Sequence, residues 1–218
     1  MARLTAGPGV VEIDSALEAL AGPAPSKPDA VVITFDDGTA DFVEETLPIL
    51  VRYRVPATLY VATDFVERGR PFPGGGSPIS WSGLADAVST GFVTVGSHTH
   101  SHALLDRLPE VAVDEELDSS TSLIGERLGL ETRHFAYPKA LAGSPAADRA
   151  VRKRFASAAL AGTRANLYGQ TDPYRLARSP VQVDDGLDFF ARKVAGGMRM
   201  EDDLRRIVNR RRFAGATT

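Results

Sequence analysis

Short apolar runs rich in β-branched residues alternate with amphipathic stretches along most of this chain. Val31-Val32-Ile33-Thr34-Phe35 reads as a buried strand, and about Phe42 to Tyr53 as a helix that Pro48 either kinks or starts. Ala57 to Ala62 predicts a second strand, Ser82 to Ser89 a short helix with a serine at its start, and Phe92 to Ser97 a third strand. Pro109 stands at the first position of a long helix running to about Leu128, with Gly129 just past its end. His134 to Tyr137 predicts a short strand stopped by Pro138; a helix from Pro145 to Phe155 and an apolar strand from Ser157 to Ala161 follow. Val10 to Ile13 and Arg178 to Val183 are candidate strands near the two ends. This alternation argues for an α/β architecture built on a mostly parallel sheet. About six or seven strands suit either a barrel or an open sheet, and periodicity does not choose between them.

Two Pro/Gly-rich breaks punctuate the pattern. Gly22 to Pro28 reads as the loop entering the first strand, and Gly69 to Pro78 as a long surface loop of the kind that lies near functional sites. The length of 218 residues and the 43% hydrophobic content fit one domain over residues 1–218, with its core at about 30–195. Met198 to Phe213 adds a basic amphipathic helix (199–213) whose arginines face solvent. No apolar run approaches the ~18 residues of a membrane span. Met1 to Val11 lacks the apolar segment of a secretory signal, so a cytoplasmic protein is expected. A net charge of −3 gives no reason to expect nucleic acid as a partner. The absence of cysteine excludes disulfides, thiolate metal sites and a cysteine nucleophile, which leaves histidine and carboxylate as the metal ligands available.

Three polar constellations stand where strands are expected to end, the place where parallel α/β domains collect functional groups. Thr34-Phe35-Asp36-Asp37-Gly38 crowds two carboxylates together: one suits a cation, the other a base, and the bland alternative is a helix cap or turn. His98-Thr99-His100-Ser101-His102 holds three of the four histidines of the chain. A helical turn there would put His98 and His102 on one face, whereas extended backbone would align all three. A sulfur-free set of this kind suits Zn²⁺ or a similar first-row ion. Arg133-His134-Phe135-Ala136-Tyr137-Pro138 alone would be an ordinary strand edge with a surface arginine.

In this order and spacing the three segments resemble the motifs of the polysaccharide deacetylase family, the NodB-homology domain of carbohydrate esterase family 4. The resemblance implies a deformed (β/α) barrel of about seven strands and a metal-dependent hydrolase that removes an N-acetyl group from an amino sugar or glycoconjugate. It implies that Asp37, His98 and His102 hold a divalent metal, Zn²⁺ first and Co²⁺ or Ni²⁺ as alternatives, which polarises the acyl carbonyl and acidifies its water. Asp36 is then the base, Arg133 pairs with Asp36 to orient it, and the backbone N–H of Tyr137 helps to hold the oxyanion. Gly38, Pro138 and Trp81 are expected along the substrate groove. Two later motifs of the family are missing: the single tryptophan, Trp81, precedes the histidine cluster, and no histidine follows His134. Tyr174 to Val181 occupies the region where the last motif would stand. The general acid is therefore unassigned among His100, His134, Lys139 and Asp36. Two alternatives follow: a metal-retaining carbohydrate-binding module without turnover, and a deformylase or amidase acting on a substrate other than a polysaccharide.

Overall fold

The structure, a computed structural model, describes residues 9–24, 26, 29–182 and 184–196. The expected basic helix at 199–213 lies outside the described residues. Helix α1 (Ile13–Ala21) precedes strand β1 (Thr34–Phe35), and a π-helical turn (Phe42–Thr46) then runs into α2 (Leu47–Tyr53). Next come β2 (Ala57–Val61), α3 (Thr63–Arg68), α4 (Trp81–Ser89), β3 (Val93–Ser97) and α5 (Glu110–Leu128). The chain continues with β4 (His134–Ala136), a 3₁₀ turn (Pro138–Ala140), α6 (Pro145–Arg154), β5 (Ser157–Ala159), a second 3₁₀ turn (Pro173–Arg175) and α7 (Leu187–Val194).

The five strands pair in sequence order, every neighbour parallel. An isolated parallel bridge extends each edge, Val10 to Val31 beside β1 and Ala159 to Leu176 beside β5. The sheet curls into a half-barrel with α2, α4, α5 and α6 on its outer face, the architecture that the alternating pattern and the motif resemblance imply. The expected count of about seven strands corresponds to these five strands plus the two edge bridges. Val10 and Leu176 each make a single pairing, because Ile13 already opens α1 and Arg175 has just closed a 3₁₀ turn. Of the strand expected at Arg178 to Val183, the described part, Arg178 to Gln182, is irregular, and Pro180 has no N–H to give to a ladder; Val183 lies outside the described residues.

Local sequence accounts for most element ends. Pro48 cannot donate the helical bond to the carbonyl four residues back, and the wide turn at Phe42–Thr46 gives way to α-helix beside it. The Ser80 side chain caps α4 by accepting from Gly83 N–H at 3.0 Å, two residues ahead of Ser82, the serine expected. Gly129 ends α5 at φ +68°, a left-handed cap that suits a residue without Cβ.

Strand side chains alternate between two sides, which gives the half-barrel an outer and an inner core. Outside, Leu59, Val61, Val93 and Val95 meet Leu47, Leu50, Leu84 and Ile124 of the helices. Phe135 and Ala158 meet Val113, Leu117, Val151 and Phe155 in the second half. Inside, Tyr60, Ala136, Ala159 and Leu176 pack with Ile13 and Leu17 of α1, so α1 covers the inner face. Gly96 in β3 is required by this inner layer. A Cβ there would stand 2.6 Å from Tyr60 Cδ1 and 2.8 Å from His134 O.

Candidate active site

In a parallel sheet every loop that follows a strand emerges at the same end. Asp36 and Asp37 follow β1, His98 to His102 follow β3, and Lys139 and Ala140 follow β4. Of the six non-glycine residues with positive φ among the described residues, five lie in these loops: Asp37, Thr99, His102, Lys139 and Ala140. Backbone held in so sparsely populated a conformation is typical of functional loops, where the surrounding contacts must impose it.

Three of these side chains converge. One donor atom each from Asp37, His98 and His102 lies within 4.8 Å of the others. Asp37 Oδ1 is 3.4 Å from His98 Nε2 and 3.2 Å from His102 Nε2. His98 is fully buried, and its Nδ1–H donates to the Ala136 carbonyl at 2.8 Å. That bond fixes the tautomer and leaves the Nε2 lone pair facing Asp37, as a ligand histidine requires. Two imidazole nitrogens and one carboxylate oxygen converging in this way fit a divalent metal of the Zn²⁺ type. His100 points elsewhere: its Nδ1 contacts Thr63 Oγ1 at 2.9 Å, and its Nε2 lies 3.7 Å from Asp64. His98 and His102 thus face each other with His100 turned away, as the turn reading expects, but left-handed backbone at Thr99 and His102 does this rather than a helical turn.

Burial pushes the Asp37 carboxyl upward, but the His102 and His98 imidazoles facing it outweigh this and hold Asp37 well below the usual carboxylate range. Asp36 is likewise lowered: burial acts upward, and Arg178 together with His98 outweighs it. Both carboxylates are thus ionised at neutral pH.

The arginine beside Asp36 is not the one expected. Arg178 grips Asp36 with two parallel bonds, Nη1 to Oδ1 at 2.6 Å and Nη2 to Oδ2 at 2.9 Å. Arg178 Nη1 also donates to Thr34 Oγ1 at 3.0 Å, Nε donates to the Leu160 carbonyl at 3.1 Å, and the guanidinium lies 5.4 Å from the Tyr60 ring centroid. All sides of the fork are fixed, which is the arrangement a positioned carboxylate base needs. Arg133 instead pairs with Asp14 of α1 at 3.1 Å and lines a cavity of about 280 Å³ with Asp14, Glu18 and Ala156. The reason is topological: Arg133 precedes β4, so it emerges at the opposite end of the sheet from Asp36.

A second correction concerns Tyr137. Its N–H donates to the Ala159 carbonyl at 3.0 Å and continues the β4–β5 ladder, so it is committed to the sheet rather than to an oxyanion. Its side chain packs on Phe135, and burial pushes the phenol up to about 12. The positive φ of Gly38 (+86°) brings Val61 and Ile79 close to it, and Pro138 is buried at the start of its turn. Trp81 is tied into structure too, its indole N–H donating to Glu67 at 2.8 Å. His134 is buried between Ser157 (3.0 Å) and Asp14 (3.4 Å) and contacts neither Asp36 nor Asp37.

A family model described as polysaccharide deacetylase matches residues 24–158, well over half of the chain. The chain belongs to the polysaccharide deacetylase family. The match ends before Arg178, so the fork on Asp36 comes from outside the matched stretch. Among solved structures, IcaB from Ammonifex degensii is 28% identical with a TM-score of 0.74, over 88% of this chain and 84% of that one. Streptococcus pyogenes deacetylase PplD is 18% identical with a TM-score of 0.75, over 88% and 81% of the two chains. The BpsB deacetylase domain from Bordetella bronchiseptica shares the fold at 20% identity and a TM-score of 0.66, over 79% and 78%. A curated relative, the uncharacterized protein YlxY of Bacillus subtilis, is 23% identical over 130 residues, 58% of this chain and 37% of that protein. The chain therefore spans well under half the length of that curated relative. Among its described residues, no helix is long and apolar enough to cross a membrane.

Proposed function

We propose that this protein is a metal-dependent hydrolase that removes an N-acetyl group from an amino sugar in a glycan or glycoconjugate. One observation carries the reading: the Asp37–His98–His102 donor set stands beside Asp36, a second carboxylate that Arg178 holds by both oxygens. A divalent ion such as Zn²⁺, held by Asp37, His98 and His102, would supply the Lewis acidity that polarises the acyl carbonyl and makes water nucleophilic at neutral pH.

The side chains of the chain carry the proton. Asp36, ionised and oriented, accepts it from the attacking water. Arg178 keeps both carboxylate oxygens in place and balances their charge, so the adjacent Asp37 does not drive Asp36 to protonate in the resting site. The products are acetate and a free amine, and the amine needs a proton on leaving. No histidine follows His134, and His134 is buried elsewhere, so Asp36 is assigned the return of the proton it took. The family model and the deacetylase folds at this chain length support an acetylated glycan as substrate.

The test is acetate release from N-acetylglucosamine oligomers by wild-type protein and by Asp36→Asn. The expected outcome is loss of turnover in the variant with metal content unchanged. Full activity in Asp36→Asn would overturn the assignment. The missing late histidine favours one other reading, a glycan-binding module that retains its metal without turnover; any metal-dependent acetate release eliminates it.

A further inference from the structure

The loop that carries the two candidate histidine ligands is held from both sides, and one side is a single carboxylate. Glu116 lies on α5, among the buried residues Val113, Leu117 and Ser120. Its Oε2 accepts from the backbone N–H of His100 at 2.9 Å and of Ser101 at 2.8 Å, while its Oε1 accepts from Ser101 Oγ at 2.6 Å. On the other side, α3 supplies amides to the carbonyls of the loop: Asp64 N–H to His100 O at 2.8 Å and Thr63 N–H to Thr99 O at 3.4 Å. The two residues that Glu116 grips sit between Thr99 (φ +64°) and His102 (φ +65°), both left-handed.

Those two φ values turn the chain back on itself, so that His102 returns to His98 with 5.0 Å between ring centroids. Left-handed backbone is unfavourable for threonine and histidine, so outside contacts must impose it. The His98 N–H is taken by Val61 O and the Thr99 N–H by Ser97 Oγ. Glu116 takes the next two, and α5 is fixed to the end of β3 by the Ser97–Ser120 contact at 2.8 Å. The carboxylate thus connects a rigid helix to the apex of the turn.

We propose that Glu116 is a positioning residue that sets metal affinity by holding the 98–102 loop in its left-handed form, a role that rests on the metal-site reading above. It touches neither substrate nor ligand atoms. A neutral amide fills the same role: glutamine accepts both amides on its oxygen, and its NH₂ donates to Ser101 Oγ. Leucine leaves all three groups without a partner.

The experiment measures Zn²⁺ affinity on the full chain by competition with a chromogenic chelator, with the visible spectrum of the Co²⁺-loaded protein as a second readout. Glu116→Gln is expected to bind within about threefold of wild type with an unchanged spectrum. Glu116→Leu, folded by circular dichroism, is expected to bind about 10- to 100-fold more weakly, with an altered Co²⁺ spectrum. Should Glu116→Leu fail to fold, Glu116→Asp, one methylene too short to reach both amides, is expected to weaken binding at least fivefold. Wild-type affinity in whichever of these two variants folds would overturn the inference. A wild-type chain that binds no metal would overturn the site reading along with it.

Discussion

Exchanging the roles of two arginines gives the sharpest perturbation of this site. Arg178→Ala removes both bonds to Asp36 together with those to Thr34 and Leu160. The pair is partly shielded, with 18% of the Arg178 side chain and 35% of the Asp36 side chain exposed. Its loss should fall between that of an exposed pair, at most ~1 kcal/mol, and a buried one, ~3–5 kcal/mol. About 2 kcal/mol is the expected destabilisation, a fall in Tm of roughly 4–8 °C for a chain of this size. Activity should suffer more, because a base displaced by about 1 Å costs on the order of 10²-fold in rate. Arg178→Lys keeps the charge but not the fork, so kcat should recover only part of the way. Arg133→Ala is the control. Its guanidinium faces Asp14 at the other end of the sheet, and both side chains are exposed by 42% or more, so stability should change by less than about 1 kcal/mol and kcat hardly at all. The assay is acetate release at saturating metal, with thermal unfolding run in parallel. An inactive Arg133→Ala beside an active Arg178→Ala would refute the reasoning.

Two further outcomes follow from the packing. Gly96→Ala places a methyl within 2.6 Å of the Tyr60 ring and 2.8 Å of the backbone of β4, and the backbone cannot yield cheaply. Denaturant unfolding should show a loss of about 1–3 kcal/mol. The second concerns His134, whose burial favours the neutral ring; Asp14 opposes this and Arg133 reinforces it, and the net pKa is lowered. The unfolded chain then binds the proton more readily, so the contribution of His134 is complete above the unfolded value of about 6.5 and is lost as pH falls below it, by up to about 1.4 kcal/mol per pH unit. Unfolding followed between pH 5 and 7.5 should show a shallower slope in His134→Gln, and an unchanged slope would count against this account.

Much of the site was legible because its ligands are local to strand ends. An apolar run followed by Asp36-Asp37 and a strand followed by His98-x-x-x-His102 place those side chains at one end of any parallel sheet. A turn after β3 then brings the histidine pair together. Arg178 was harder to see, since it meets Asp36 across 142 residues from an irregular segment with no period to read. One signal was available: Arg133 precedes its strand, and a residue before a parallel strand cannot share an end with residues that follow theirs. Tyr137 misled for a related reason, because its N–H still belongs to the ladder one residue past β4. Helices α1, α3 and α7 went unread between stronger signals: α3 spans only Thr63–Arg68, while Ile13 and Leu187 open segments whose flanks read as strand and loop.

Metal-dependent acetate release tests the central claim most directly. The full chain, stripped with a chelator and then restored with Zn²⁺, Co²⁺ or Ni²⁺, is offered a panel of N-acetylated sugars and oligosaccharides, with formamides and cyclic amides alongside. The account predicts no acetate from stripped protein, release from an N-acetyl sugar on restoration, and none from His98→Ala or Asp37→Ala under the same conditions. Undiminished release by the stripped protein, or hydrolysis confined to the non-sugar amides, would contradict it.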